Sequence, residues 1–242
     1  MTRITVTIDD GGMNDAVNRA AALCMDAGVV NRLSIIPTGA CVPAACELAM
    51  SRGVAVSTHL DCCSGPFLLP ESRFPRGFAT WAVNAGRFAP AVRREWCAQI
   101  ERLLGLGAMV TNLDSHRHLH HLPGLREVFL DIARDYRIGT VRAAVLPDRM
   151  RRFPLGVFLH GLGVRLFESA SLAGLRSASW MLGFGDSGRV GRKYLDKYMK
   201  TACGEDMELV MHPATEAVWS PGQPGELELM LSEWFAERTR NE

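Results

Sequence analysis

Two adjacent carboxylates stand where the first apolar run of the sequence ends. Asp9 and Asp10 follow residues 4–8 and precede glycines at positions 11 and 12. Like charges held side by side are unfavourable unless a cation or a proton compensates them, so this pair predicts a divalent cation site. The residues leave one alternative open, an ordinary Asx turn that caps the following helix.

A histidine-rich segment supplies a second group of candidate ligands. Asp114, His116, His118 and His120 alternate along residues 114–120. In an extended backbone, alternate side chains lie on the same side, so all four would share one face. Imidazoles with a carboxylate behind them are typical of a divalent metal site. A surface loop rich in histidine and a set of hydrogen-bonded core histidines are the alternatives.

Two further histidines follow predicted strands. His59 comes after residues 54–58, and His212 precedes Pro213 at the end of an apolar run. Each of them alone is typical of a core histidine with satisfied hydrogen bonds. In parallel α/β folds, however, the loops after the carboxyl ends of the strands converge on one face, where active sites are assembled. We therefore expect both histidines to meet the aspartate pair.

The elements that must position these residues alternate along the chain. Short β-branched and apolar runs predict strands at residues 4–8, 32–36, 54–60, 108–113, 140–145 and 208–211. Apolar residues at helical spacing predict helices at residues 13–24, 43–52, 90–104, 125–132 and 226–235. This sustained alternation indicates an α/β fold with a mainly parallel sheet, open or closed into a barrel.

Residues 146–192 interrupt the alternation. This excursion carries seven arginines against three acidic residues, together with many glycines. An apolar stripe at helical spacing still predicts a helix that packs on the barrel. The stripe consists of Leu155, Phe158, Leu159, Leu162 and Leu166. A lid over the substrate and a surface that faces a membrane or a lipid-linked substrate are the alternatives.

Composition predicts a globular protein that recognises its substrate at a local site. The chain has 242 residues, of which 48% are hydrophobic and 22% charged, and this favours one domain over residues 1–242. A net charge of +1 supplies no long-range field for a polyanion, so nucleic acid is not an expected partner. The sequence lacks the roughly 18 consecutive apolar residues of a membrane span and a signal-peptide pattern, which predicts a cytoplasmic protein. An apolar helix face looks the same whether it packs on its own barrel or on a second copy of the chain, so a homodimer stays an open alternative.

The order of these motifs resembles that of the YdjC/ChbG-type carbohydrate deacetylases. That group includes chitooligosaccharide deacetylases and the deacetylase-like proteins of hopanoid gene clusters. The matching segments are residues 8–12, 57–60, 95–100, 114–123, 141–142 and 208–213. The most specific of them is Asp-Ser-His-Arg-His-Leu-His-His-Leu-Pro at 114–123. Two departures lie beside the proposed metal: Gly11 stands where the family has phenylalanine, and Cys62 and Cys63 follow Asp61 where it has Asn/Thr-Leu.

The resemblance implies a distorted (β/α) barrel with one divalent metal ion, magnesium or zinc. Its metal ligands would be Asp10, His59 and His116. Asp9 would be the catalytic base, and His212 a candidate acid.

Four further residues would support this centre. Asp114, His118, His120 and Arg142 would contact the sugar or orient the side chains that bind the metal. Arg142 in particular would bind hydroxyls or a charged group of the substrate.

The implied activity is the metal-dependent removal of an N-acetyl group from an amino sugar or a glycoconjugate. The substrate would be an N-acetylated sugar, an oligosaccharide or a glycolipid. Two alternatives stay open. One is an amidohydrolase of another amide, in which His116 and His118 chelate the metal together. The other is a non-catalytic barrel that binds metal and sugar without turnover.

Overall fold

The computed structural model describes residues 3–146, 154–199 and 205–240. Within these ranges the strands are β1 (Ile4–Gly11), β2 (Arg32–Ile35), β3 (Ala55–Leu60), β4 (Val110–Ser115), β5 (Thr140–Val141), β6 (Trp180–Leu182) and β7 (Met207–Met211). The α-helices are α1 (Asp15–Asp26), α2 (Val42–Ser51), α3 (Phe78–Gly105), α4 (Arg126–Asp135), α5 (Pro154–Leu172), α6 (Arg192–Tyr198), α7 (Gln223–Met230) and α8 (Glu233–Thr239).

The strands form one parallel sheet in the order β5-β4-β3-β2-β1-β7-β6. Its two edges approach each other, because Thr140 forms an isolated parallel bridge with Arg176 and the Met181 N–H donates to the Val145 carbonyl at 2.9 Å. These contacts form a seam between the two edges. The predicted α/β fold, a distorted barrel of parallel strands, is confirmed.

The strands are buried on both faces: helices cover the apolar outer face, and the inner face carries buried polar side chains such as Ser34, Ser57 and Asp114. Ile8, Leu33 and Leu209 are fully buried in one apolar cluster with α1, α2 and α8. Leu113 and Trp96 belong to a second cluster, between β4, α3 and α4. Parallel sheets require such coverage, and the carboxyl ends of the strands are then left to carry polar side chains.

Two predicted helices have other boundaries in the structure. The helix expected at 90–104 is α3, which begins at Phe78 and continues through Pro90. Its first turns are held by Trp81 and Ala85, which are buried on the same apolar side as Trp96. Proline lacks the N–H that a helix interior uses, and the packing of these residues outweighs that loss at Pro90.

The helix expected at 226–235 is two helices, α7 and α8. The break falls at Ser232, whose hydroxyl accepts from the Phe235 N–H at 3.3 Å and caps α8. Serine at an N-cap satisfies a backbone donor that would otherwise be lost, so it favours a new start over a continuous helix.

The excursion at 146–192 contains more regular structure than expected. The predicted helix is present as α5, with Leu162 and Leu166 buried, and it packs closely because a Cβ on Gly163 would lie 2.1 Å from the Ala144 oxygen. β6 was not predicted from the sequence. Residues 147–153, which include three of the arginines of the excursion, lie outside the described residues. In the part of the chain that is described, no helix has both the length and the apolar character needed to cross a membrane.

Candidate active site

Asp9 and Asp10 both reach one cavity because β1 is irregular at its end. The pairing of β1 with β2 shifts between Ile8 and Gly11, and Asp10 has a left-handed backbone with φ of 63°. In a regular strand two successive side chains point to opposite faces. A non-glycine residue in this region costs about 1 to 3 kcal/mol, and such strain is concentrated at functional sites.

Asp10, His59 and His116, the ligand set that the resemblance implies, lie close together in the structure. The Asp10 Oδ1 lies 3.6 Å from His59 Nε2 and 3.4 Å from His116 Nδ1. One ligand atom from each residue lies within 4.8 Å of the others, and Asp10 Oδ1 is buried without a hydrogen-bond partner. A buried carboxylate oxygen that nothing satisfies, between two imidazole nitrogens, fits the ligand set of a divalent cation.

Asp114 fixes the orientation of His59. The Nδ1–H of His59 donates to Asp114 Oδ1, which leaves Nε2 facing Asp10. Ser34 and Ser57 also donate to the Asp114 carboxylate. Burial alone would raise the pKa of Asp114, but Arg142 and His59 hold it well below its usual range. A carboxylate that orients a ligating imidazole from behind is common at metal sites.

The charges around His59 also outweigh its burial. Burial alone would lower the pKa of this imidazole, but Asp9, Asp114 and Asp10 raise it to about 9. Burial would likewise raise the pKa of Asp10, and its neighbours His116, His212 and His59 lower it instead.

Arg142 holds Asp9 from behind with two hydrogen bonds. Its Nη1 and Nη2 each lie 2.8 Å from one Asp9 oxygen, and Nη2 also donates to Glu208 at 2.9 Å. Nη2 lies 3.4 Å from Asp114 as well. Arg142 has no exposed surface, so the contact with substrate expected of it is wrong. It is a buried cation that orients three carboxylates.

Replacing Arg142 with methionine should lower the free energy of unfolding by about 3 to 5 kcal/mol, because buried carboxylates would lose their partner. Urea denaturation measures this change. The matched control is Arg93→Met, which breaks the exposed Arg93–Asp135 pair and should cost no more than about 1 kcal/mol. Equal effects of the two substitutions would contradict the structural role of Arg142.

His212 lies beside Asp9 and lines the cavity. Its Nε2 is 3.9 Å from Asp9 Oδ2, and its Nδ1 is buried with no hydrogen-bond partner. The backbone N–H of His212 donates to the Glu226 carboxylate at 2.6 Å, and this hydrogen bond holds the end of β7 in place. Trp219 packs edge-on against the imidazole, with ring centroids 5.3 Å apart.

The histidine-rich segment is not extended, so the expected common face of its side chains is wrong. β4 ends at Ser115, and residues His116–His121 form a 3₁₀ turn in which Arg117 and His118 have left-handed backbones, with φ of 53° and 54°. The turn directs His116 to Asp10, and His118 to the cavity wall beside Phe184.

His120 points into the core instead. It is fully buried and stacked on Phe129, its Nδ1 lies 2.6 Å from the Ser115 hydroxyl, and its Nε2–H donates to the Arg142 carbonyl. His120 therefore has no access to a substrate and supports the backbone behind the site. His121 is held similarly, because its Nε2 accepts from the Ala144 N–H at 2.8 Å. The trio of His118, His120 and His121 is close enough for a metal, but hydrogen bonds already use the ring nitrogens of two of its members.

These buried imidazoles predict that acid destabilises the fold. Burial lowers the pKa of His121 to about 3 and that of His120 well below its usual value. In the unfolded chain both titrate near 6.5, so their contribution is complete above pH 6.5 and is lost as the pH falls below it. Below pH 6.5, each of these two histidines should lower the free energy of unfolding by about 1.4 kcal/mol for every unit by which the pH falls.

Urea denaturation between pH 7.5 and 5.0 measures this slope. His121→Gln, whose amide oxygen can accept from Ala144, should reduce the slope by the share of one histidine. A pH-independent free energy over this range would contradict the prediction.

The site opens into a cavity of about 750 Å³. The charged groups of the site line it together with a largely apolar remainder of the wall. The lining side chains are Asp9, Asp10, Met13, His59, Ser64, His116, Arg117, His118, His121, Leu122, Ala144, Leu162, Phe184, Ser187, His212, Val218 and Trp219. The cavity is large enough for a small organic substrate.

Three residues of the site received no role from the sequence, although Glu208 lies in the matching segment 208–213. Glu208 lies on β7, four residues before His212. Because alternate strand residues share a face, that spacing could have placed Glu208 on the same face as His212. Trp219 and Phe184 lie in irregular loops, where no periodicity marks them.

The loop after β3 is held by the Glu95-x-x-x-Gln99 pair of α3. Glu95 accepts from the Leu68 and Leu69 N–H groups, and Gln99 bonds to both backbone groups of Asp61. Cys62 and Cys63, which depart from the family pattern, are buried in this loop and do not line the cavity.

Comparison with known proteins identifies the family of this chain. The family model described as YdjC-like protein matches residues 3–241. The chain belongs to the YdjC-like protein family. A carbohydrate deacetylase of Xenopus laevis is 28% identical to this YdjC-like chain over 178 residues, 64% of the chain and 58% of the relative. A carbohydrate deacetylase of Geobacillus stearothermophilus is 31% identical over 142 residues, 55% of the chain and 56% of the relative.

The YdjC-like chain thus spans little more than half the length of these relatives. A solved structure matches it more completely. A protein of Enterococcus faecalis V583, named for cellobiose-phosphate cleavage, has a TM-score of 0.75 and 20% identity, covering 98% of this chain and 93% of its own. That likeness supports the fold.

Proposed function

We propose that this YdjC-like protein is a metal-dependent hydrolase that removes an N-acetyl group from an amino sugar or a glycoconjugate. The observation that carries the proposal is the Asp10 Oδ1, which is buried without a hydrogen-bond partner, lies within 3.6 Å of two imidazole nitrogens and belongs to a residue that lines the cavity. The names of the relatives, carbohydrate deacetylases, support the choice of substrate class.

Asp10, His59 and His116 would hold one divalent cation. Two imidazoles and a carboxylate suit zinc, and magnesium is the other candidate by resemblance to the family. When bound, the cation would supply Lewis acidity, which makes an amide carbonyl more electrophilic and a water molecule more acidic.

Asp9 would accept the proton of the attacking water. Arg142 fixes both of its oxygens, and each oxygen keeps a second lone pair that faces away from the guanidinium. The carboxylate is thereby oriented before substrate arrives, so little reorganisation accompanies the proton transfer.

His212 would return a proton to the departing amine. Its Nε2 lies on the cavity side, 3.9 Å from Asp9 Oδ2, so the base and the acid flank the same space. The rest of the cavity would hold the sugar, with His118 and the apolar residues on its wall. Asp114 and His120 would act from behind the site, since both are fully buried.

A deacetylation assay tests the proposal. The purified chain is incubated with N-acetylated free oligosaccharides, nucleotide-linked sugars and glycolipids, with added Mg²⁺ or Zn²⁺ and after chelation. We expect equimolar acetate and free amine from one of these classes, lost with the chelator and restored by the cation. Metal and sugar binding without acetate release would support the non-catalytic barrel and overturn the proposal.

The amidohydrolase alternative receives no support from the geometry. A chelate by His116 and His118 needs both imidazoles on one side of an extended segment. The left-handed backbone at Arg117 and His118 separates them, so only His116 faces Asp10.

A further inference from the structure

Trp219 lies directly beside the carboxylate of Asp10. Its indole Nε1–H donates to Asp10 Oδ2 at 3.0 Å, and the residue lines the cavity with 45% of its surface exposed. This hydrogen bond ties a half-exposed loop residue to the buried carboxylate of Asp10.

The loop that carries Trp219 is built to hold it. The side-chain oxygen of Gln223 accepts from three successive backbone N–H groups, those of Val218, Trp219 and Ser220, at 3.0 to 3.1 Å. Gln223 is fully buried. One acceptor that satisfies three donors fixes the local backbone, so the position of the indole is set by the fold as well as by Asp10.

A second loop braces the same residue. The Ser220 hydroxyl donates to the Gly188 carbonyl at 2.9 Å, and a Cβ on Gly188 would lie 2.9 Å from the Trp219 ring. Only glycine leaves room for this approach. On its other side the ring meets the edge of His212.

The consequence concerns the two oxygens of Asp10. Oδ2 is used by the indole, while Oδ1 has no partner and faces His59 and His116. The hydrogen bond therefore selects which oxygen stays available to a cation and holds the carboxylate in that rotamer. Partners that orient a ligand in this way typically contribute a factor of about 10 to 100 in metal affinity.

We propose that Trp219 couples the cation to the sugar: its N–H positions Asp10 as a one-oxygen ligand, and its exposed ring forms a wall on which the apolar face of a pyranose packs. This inference rests on the proposed function and deepens it. Trp219 is a positioning residue for the metal and a binding residue for the substrate, since large aromatic rings provide flat apolar surface at low cost in side-chain entropy.

Two variants separate the two roles. Trp219→Phe keeps an aromatic ring and removes the N–H, whereas Trp219→Ala removes both. The matched control is Trp234→Phe on α8, because the Trp234 N–H has no hydrogen-bond partner and its ring packs under Arg192 and Arg238. Zn²⁺ affinity is measured by competition with a chromophoric chelator in the absence of sugar. KM and kcat are then measured at saturating Zn²⁺ on the best substrate of the deacetylation assay.

Trp219→Phe should bind Zn²⁺ about 10-fold more weakly or worse, with KM close to that of the wild type. Trp219→Ala should show the same loss of Zn²⁺ affinity and a KM raised about 10-fold, and Trp234→Phe should match the wild type in both. Zn²⁺ affinity of Trp219→Phe equal to that of the control would overturn the role toward Asp10, and an unchanged KM in Trp219→Ala would overturn the role toward the sugar. A wild-type chain that binds Zn²⁺ and releases acetate while both variants behave normally leaves the proposed function standing and removes only this inference.

Discussion

Asp9→Asn should lower kcat for deacetylation by about 1,000-fold while the protein still binds one divalent cation. The loss is that of a general base, which typically contributes a factor of about 100 to 10,000. Asparagine keeps an oxygen for one Arg142 donor but cannot accept the proton of water. Metal binding should persist because the proposed ligands are Asp10, His59 and His116. Steady-state acetate release and metal content after dialysis measure the two quantities.

The control for this variant is Asp26→Asn, since Asp26 forms an exposed pair with Arg52 far from the cavity. It should leave kcat unchanged. Thermal unfolding of Asp9→Asn shows whether the weakened pair with Arg142 unfolds the chain. A folded, metal-loaded Asp9→Asn protein with normal turnover would remove Asp9 from the mechanism.

His116→Ala should lose both the cation and the activity. Asp10 Oδ1 lies between His116 Nδ1 and His59 Nε2, and two remaining ligands hold a divalent ion poorly. We expect Zn²⁺ affinity to fall by more than about 100-fold, beyond the loss of a residue that only orients a ligand. Titration with Zn²⁺ in the absence of substrate measures this change independently of turnover.

His118→Ala is the matched control, because His118 lies on the same 3₁₀ turn but does not face Asp10. It should bind one Zn²⁺ with near-normal affinity. If His118→Ala lost the metal while His116→Ala retained it, the ion would belong to the cluster of His118, His120 and His121, and the ligand assignment would be wrong.

The strand ends of the site were predictable from the sequence, and the reason is topological. Asp10, His59 and His212 each follow an apolar run, and parallel strands bring their carboxyl ends to one side. The predicted strands correspond to β1 to β5 and β7, with end points that differ by a few residues. The apolar runs sufficed because these strands are buried on both faces.

The remainder depended on interactions that residue type does not encode. The turn at 116–121 requires left-handed backbone at Arg117 and His118, which the alternating pattern does not indicate, so alternation along the sequence predicted the wrong side for His120. Arg142 follows a strand of only two residues, and its burial among three carboxylates depends on residues distant in the chain. Trp219 is positioned by Gln223, within a loop without pattern.

The seam between β5 and β6 has a dynamic consequence. A few backbone hydrogen bonds join these edges, among them Val141 N–H to the Arg176 carbonyl and Met181 N–H to that of Val145, whereas β1 pairs along its length with β7. Local opening requires the breaking of few bonds at such a place, so amide protons there should exchange with deuterium sooner than those of β1. Ala144, whose N–H holds His121, lies within the seam. Local opening of the barrel at this position would therefore loosen the part of the cavity wall formed by Ala144 and His121, while the β1–β7 pairing stays closed.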